Sequence, residues 1–265
     1  MFGRLLTRKK QGESQSVDRK QENGILHLPL NKVGKDYVIG DIHGHFELVE
    51  QLLKAIDFDD KTDRLISVGD GIDRGPESQR ALEFLEKPWF YMILGNHEAM
   101  LMDSQAREYG VYELWMRNGG EWSDLVTEDF LNNMAEAYRK LPYAIEIETA
   151  NGKVGIVHAD MPAKMSWDEL VKGLTLGKLK DKQKQALLWS RDTYRQLRNA
   201  RESDRVVKEP EVEGIYRIYV GHSIVNNPCL FGNIMFIDTG AYVTGKLTAV
   251  DLTNEEAIIV QNLNE

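Results

Sequence analysis

Five times along the chain, a short apolar run ends in a turn carrying a residue able to bind a metal ion. Tyr37-Val38-Ile39 leads into Gly40-Asp41, Leu65-Ile66-Ser67-Val68 into Gly69-Asp70, and the run at residues 90–94 into Gly95-Asn96. Residues 153–157 lead into His158, and Ile218-Tyr219-Val220 into Gly221-His222. Runs this short read as buried strands. Helical signals follow some of them. Phe46, Val49, Leu52, Leu53 and Ile56 fall close to one helical face, and Pro76 suits a first helical turn. Strands alternating with helices predict an α/β fold, where ligands bind beyond the carboxyl ends of strands. Glycine ahead of the polar residue lets the backbone turn sharply or approach an ion closely. Five strand ends are therefore predicted to deliver five polar side chains to one region.

The rest of the chain completes this frame. Residues 143–149 and 153–157 flank Asn151-Gly152, which predicts a hairpin. Apolar runs at residues 234–237, 247–252 and 257–260 predict β-structure completing a second sheet. Residues 163–214 are charged and predict helices, a candidate lid or substrate wall. Residues 1–33 read as a polar, basic tail with a short strand at residues 25–30, leaving residues 34–265 as one catalytic domain.

Composition narrows the chemistry. The chain is 42% hydrophobic and 28% charged, the balance of a folded globular protein. Its net charge of -9 argues against bulk nucleic acid as partner, because that polyanion calls for a broad basic surface. No apolar run nears the roughly 18 residues of a membrane span, and no signal-peptide pattern follows the basic start. The single cysteine, Cys229, fits a cytoplasmic, reducing location. Met235 stands six residues after it, where a cysteine-dependent phosphatase needs arginine.

Of six histidines, four (His43, His97, His158 and His222) sit at predicted strand ends beside Gly, Asn or Asp. Asp41 and His43 can direct a carboxylate and an imidazole at one ion. Asp70 has two oxygens and can bridge two ions. Asn96, His158 and His222 offer an oxygen and two imidazoles to the second. Oxygen and nitrogen ligands without thiolate suit manganese, iron or zinc.

Together these stretches resemble the phosphoprotein phosphatase family of metallophosphoesterases. The motifs are Gly-Asp-Ile-His-Gly from Gly40, Gly-Asp-Gly-Ile-Asp-Arg-Gly from Gly69, Gly-Asn-His-Glu from Gly95, His158-Ala159-Asp160 and Gly221-His222-Ser223. Pro88-Trp89-Phe90, Asn118-Gly119-Gly120, Leu188-Trp189-Ser190-Arg191-Asp192 and Ile237-Asp238-Thr239-Gly240-Ala241 look like the lambda-type branch of bacteriophage and bacterial phosphatases. The resemblance covers residues 37–252. It implies an α/β calcineurin-like fold, an αββα sandwich of two mixed sheets in a single domain. It also implies two divalent ions, Mn2+ first and Fe or Zn otherwise, held by Asp41, His43, Asp70, Asn96, His158 and His222. Arg74 and Arg191 match the phosphate-binding arginines, with Asn96 and His97 beside the phosphate. His97 paired with Asp73 matches the general acid, and the implied reaction is direct attack by a metal-bridging hydroxide.

The implied substrates are phosphoserine and phosphothreonine in proteins or peptides, phosphotyrosine as well, and small aryl phosphates in vitro. A symmetrical diadenosine tetraphosphatase shares fold and metals. Such enzymes usually lack the aspartate matching Asp73 and carry aspartate in place of Glu98, so both positions favour a protein phosphatase. Other phosphodiester hydrolysis, and a non-catalytic phospho-ligand binding module, are the remaining alternatives. The module expects a lost ligand or acid, and none is lost. His45 reads as a histidine outside the ligand set, Asp238 as structural and Tyr242 as a pocket residue. The sequence assigns no oligomeric state.

Overall fold

The computed structural model describes residues 20–202 and 208–262. In chain order the strands are β1 (Lys20–Glu22), β2 (Ile25–Leu28), β3 (Asp36–Ile39), β4 (Arg64–Ser67), β5 (Phe90–Met92) and β6 (Ala144–Thr149). They continue as β7 (Gly152–Val157), β8 (Arg217–Val220), β9 (Cys229–Phe231), β10 (Ile234–Phe236), β11 (Lys246–Asp251) and β12 (Ala257–Gln261). The helices are α1 (Phe46–Ala55), α2 (Ala81–Leu85), α3 (Asn96–Gln105), α4 (Val111–Arg117) and α5 (Glu128–Tyr138). After these come α6 (Trp167–Thr175), α7 (Asp181–Trp189), α8 (Asp192–Glu202) and α9 (Ala241–Thr244).

Seven strands form one mixed sheet, ordered β1-β2-β6-β7-β8-β10-β9, and five form another, ordered β12-β11-β3-β4-β5. Side chains alternate across each strand, and that alternation builds the layers. Val38, Ile66 and Tyr91 of the smaller sheet pack with Ile145, Ile156 and Tyr219 of the larger, filling the space between the sheets. Their neighbours Tyr37, Ile39, Leu65 and Phe90 point outward into a core shared with α1, α3 and α5. On the opposite side Ala144, Ile218 and Val220 pack with Trp167, Leu170, Leu187 and Leu197 of α6, α7 and α8. The result is the αββα sandwich, and each buried aliphatic side chain contributes about 1.5–3 kcal/mol relative to exposure.

Several expectations shift. The strand expected at residues 25–30 is present as β2, but it is an interior strand of the large sheet, pairing with β6. Residues 20–28 therefore belong to the sheet and not to the polar tail expected through residue 33; residues 1–19 lie outside the described residues. The three C-terminal strands do not share one sheet. β10 joins β8 in the large sheet, whereas β11 lies between β3 and β12 in the small one. Helix near Pro76 begins later, as a tight turn at Ser78–Arg80 running into α2. The β6–β7 hairpin forms, with Gly152 paired to Thr149, so Ala150 and Asn151 make the turn. Residues 163–214 do supply α6 to α8, which cover the large sheet. Among the described residues no helix is long and apolar enough to cross a membrane.

Candidate metal centre and active site

Asp41, Asp70 and Asn96 follow β3, β4 and β5 of the small sheet, while His158 and His222 follow β7 and β8 of the large one. The carboxyl ends of both sheets thus deliver one cluster. The turns are tight: His43, Asp70, Asp73, Arg74 and His222 all have positive φ, between 46° and 72°. Non-glycine residues rarely adopt that conformation, and it persists where surrounding structure imposes it. Glycine is needed beside them because the carboxylates fill the space of a side chain. A Cβ on Gly95 would meet Asp70 Oδ1 at 2.2 Å, and one on Gly221 would meet Asp41 Oδ1 at 2.0 Å. Glu98 ties two turns together by accepting hydrogen bonds from the backbone N–H groups of Asp70, Gly71 and Gly95 at 2.8–3.0 Å.

Asp70 lies at the centre. Its Oδ2 stands 3.4 Å from His158 Nε2, 3.7 Å from His43 Nε2 and 3.8 Å from His97 Nε2. Donor atoms of His43, Asp70 and His97 lie within 4.8 Å of one another, as do those of Asp70, His158 and His222. Asp41 approaches His43 at 4.0 Å and accepts a hydrogen bond from the His222 backbone N–H at 2.9 Å. Backbone carbonyls set two ring orientations: His43 Nδ1 bonds Ile72 O at 2.9 Å, and His158 Nδ1 bonds Val68 O at 2.8 Å. With Nδ1 held by its carbonyl, each ring turns Nε2 inward, as metal-binding histidines do.

This donor set fits cations. His158 Nε2 faces the Asn96 Oδ1 lone pairs at 2.9 Å as well as Asp70 Oδ2, so acceptor meets acceptor unless a proton or cation lies between them. Asp41 Oδ1 and His222 Nε2 are buried with no hydrogen-bond partner among the described residues. Electrostatics agree. Burial, then Asp238 and Asp70, pushes the Asp41 carboxyl well above the usual range. Burial opposes the Asp70 charge, but the imidazoles of His158, His97 and His43 hold its carboxyl well below. Burial drives His43 down, and burial and then His158 push His222 down to about 3, both towards the neutral form that a metal ligand requires. Added positive charge would favour an ionised Asp41 and neutral histidines together.

Beside the cluster lies a cavity of about 230 Å³, lined by Asp70, Asn96, His97, His222, Arg74 and Arg191. Arg191 donates from Nη2 to His222 O at 3.2 Å, which brings a residue distant in sequence to the cavity wall. Arg74 stacks on the Tyr242 ring at 4.2 Å and donates from Nη1 to His43 Nε2 at 2.7 Å. Arg74 must turn from that nitrogen for His43 to ligate a cation. His97 Nδ1 meets Asp73 Oδ2 at 2.6 Å. His45 bonds Glu47 at 2.9 Å and belongs to neither donor group. Asp238 accepts from Gly240 N at 2.8 Å and also lines the cavity, as does Tyr242.

Sequence reasoning missed Asn118, Trp189 and Tyr194 as lining residues. It also missed Trp115 and Trp122, whose ring N–H groups reach Asp73. The paired tryptophans around Asn118-Gly119-Gly120 were the available signal.

Residues 37–226 match the calcineurin-like phosphoesterase family. The chain belongs to this family. Among curated relatives of this phosphoesterase, serine/threonine-protein phosphatase 2 of Salmonella typhimurium is 37% identical over 215 residues, spanning 80% of this chain and 90% of that protein. A symmetrical bis(5'-nucleosyl)-tetraphosphatase of Coxiella burnetii is 43% identical, but over 83 residues, 31% of this chain and 27% of that protein. In fold, the chain is similar to a serine/threonine phosphatase structure from Saccharomyces cerevisiae, with TM-score 0.58 and 18% identity across 92% of this chain and 85% of that one. Family membership and the two donor groups together imply a divalent-metal site.

Proposed function

We propose that this phosphoesterase removes phosphate from phosphoserine and phosphothreonine side chains of proteins, with phosphotyrosine as a further substrate. The observation that carries the reading is the His97–Asp73 pair, buried at the cavity beside Asp70. A serine or threonine alkoxide is a poor leaving group and needs a positioned proton donor. Diphosphate leaving groups need it far less.

Asp41, His43 and Asp70 would hold one cation, and Asp70, Asn96, His158 and His222 the other. Manganese is our first choice, with iron or zinc as alternatives, from the oxygen and nitrogen donor set. Two such ions supply an acidified water and neutralise charge on the phosphate. Arg74 and Arg191 would grip phosphate oxygens through their planar forks, with Asn96 alongside. Asp73 orients the His97 ring, and His97 Nε2 gives its proton to the departing oxygen. The tight cavity suits a phosphoryl group presented by a larger chain, since whole small-molecule sites usually exceed about 300 Å³. The junction of α7 and α8, carrying Trp189, Arg191 and Tyr194, would form the substrate wall. A cytoplasmic location, with phosphoproteins as partners, completes the proposal.

The second reading is a dinucleotide tetraphosphatase. It is favoured by the local Coxiella match and by fold similarity, TM-score 0.62 at 21% identity, to a structure provisionally described as a diadenosine tetraphosphatase. The test is kcat/KM of manganese-loaded enzyme on a phosphoserine peptide and on diadenosine tetraphosphate. A preference for the peptide supports the phosphatase. A preference for the dinucleotide overturns it and moves the enzyme to nucleotide chemistry.

A further inference from the structure

Asp73 is completely buried, and three ring N–H donors converge on its carboxylate. His97 Nδ1 reaches Oδ2 at 2.6 Å, Trp122 Nε1 reaches Oδ1 at 2.7 Å, and Trp115 Nε1 reaches both oxygens at 3.0 Å. The two indoles approach from different directions, edge to face at 84° with centroids 6.3 Å apart. The backbone between them makes this possible. Gly119, at φ 102°, accepts a hydrogen bond from the Arg74 N–H and passes so close that a Cβ would lie 2.6 Å from Arg74 Cγ. A Cβ on Gly120 would lie 2.8 Å from the Trp115 ring. The segment from Trp115 to Trp122 is therefore folded tightly around Asp73 and Arg74.

We infer that Trp115 and Trp122 are positioning residues for proton delivery to the leaving group, acting through Asp73 on His97. This rests on the general-acid reading of His97 proposed above. An indole N–H can only donate, and a carboxylate can only accept. Both indole contacts can only be accepted by Asp73, so they hold its carboxylate as the acceptor that orients His97. The indoles also pin its plane, so that Oδ2 stays aimed at His97 Nδ1 and the ring keeps Nε2 towards the cavity. Without them the carboxylate could rotate, and His97 would lose its orientation without losing its contact. Neither tryptophan is among the residues lining the cavity, so the effect should appear only where protonation of the leaving group matters.

The experiment compares kcat/KM on a phosphoserine peptide and on p-nitrophenyl phosphate, whose phenolate leaves without a proton. Trp122→Phe keeps an aromatic ring and removes the N–H. Replacing Trp122 by benzothienylalanine removes the N–H with almost no change in shape and guards against a packing artefact. Trp115→Phe provides the second site, with melting temperature as the check on folding. Trp89→Phe, which packs against Phe84 and Phe90 away from Asp73, is the control.

Hydrogen bonds to charged groups are strong enough that each N–H deletion should lower the peptide-to-aryl activity ratio about tenfold. In a His97→Asn background the same deletions should add nothing to that ratio. Equal losses on both substrates, or full additivity with His97→Asn, would overturn the inference while leaving the acid assignment intact. If His97→Asn itself leaves the ratio unchanged, the general-acid reading fails, and this inference fails with it.

Discussion

His97 Nδ1 stands 2.6 Å from Asp73 Oδ2, and neither side chain has more than 1% of its surface exposed. That contact holds the His97 ring in orientation for the general-acid role proposed above. His97→Asn should therefore lower phosphoserine peptide turnover about 10² to 10⁴-fold, the usual range of general acid help. Turnover of p-nitrophenyl phosphate should fall far less. Steady-state kinetics on both substrates check this, and equal losses would remove His97 from the acid role.

Asp70 Oδ2 is within 3.8 Å of three imidazole nitrogens and belongs to both donor groups. Asp70→Asn should disrupt both of the proposed cation sites at once. Loss of several kcal/mol of charge stabilisation corresponds to about 10³-fold or more in kcat/KM. Binding to the native state also stabilises it, by about 2.7 kcal/mol at a hundredfold excess over Kd. Manganese should raise the melting temperature of the wild type, and chelation should reverse the rise. The Asp70→Asn protein should show almost no rise. A full manganese-induced shift in that variant would mean that Asp70 is not a shared ligand.

Arg191 reaches the cavity from the α7–α8 junction and is anchored by a 3.2 Å hydrogen bond to His222 O. Lysine keeps the charge but lacks the fork that matches two phosphate oxygens. Arg191→Lys should lower kcat/KM about 10-fold or more through a weaker grip on phosphate. Affinity for inorganic phosphate as a product inhibitor should weaken in parallel. Unchanged inhibition by phosphate would place Arg191 outside phosphate binding.

The strand-end turns were legible because each is local: an apolar run, a glycine and a ligand type lie within a few residues. Gly95 and Gly221 show why, since a neighbour's carboxylate occupies the space of their missing Cβ. What escaped notice depends on long-range pairing. β2 is four residues long, and its place in the sheet depends on pairing with β6, where His27 meets Glu146 across 119 residues. Nothing in a short apolar run states that partner. Trp115 and Trp122 meet Asp73 across 42 and 49 residues, and a tryptophan on a helix reads as core until its N–H is traced. Asp238 looked structural and does bond its own turn, yet the fold also brings it to the cavity wall.

Glu146 offers a test of stability remote from the metal cluster. It is buried on β6, accepts from Trp167 Nε1 at 2.7 Å, and lies 3.1 Å from Lys153 Nζ and 3.2 Å from His27 Nδ1. Burial works against its charge, but the bonds from Trp167 and Lys153 hold its carboxyl below the usual range. A carboxyl lowered in the folded state stabilises the protein above its unfolded value, about 4.3, and that contribution is lost as pH falls through the lowered native value. Glu146→Gln keeps the shape, loses the charge and turns an amide towards Lys153. It should cost roughly 1.5–3 kcal/mol at neutral pH, the range for hydrogen bonds to charged groups. The gap between wild type and variant should shrink as pH drops below that value, because the wild type then loses the same charge. Urea unfolding midpoints of both proteins across this range provide the check. A gap that stays constant would mean that Glu146 acts through packing and not through its charge.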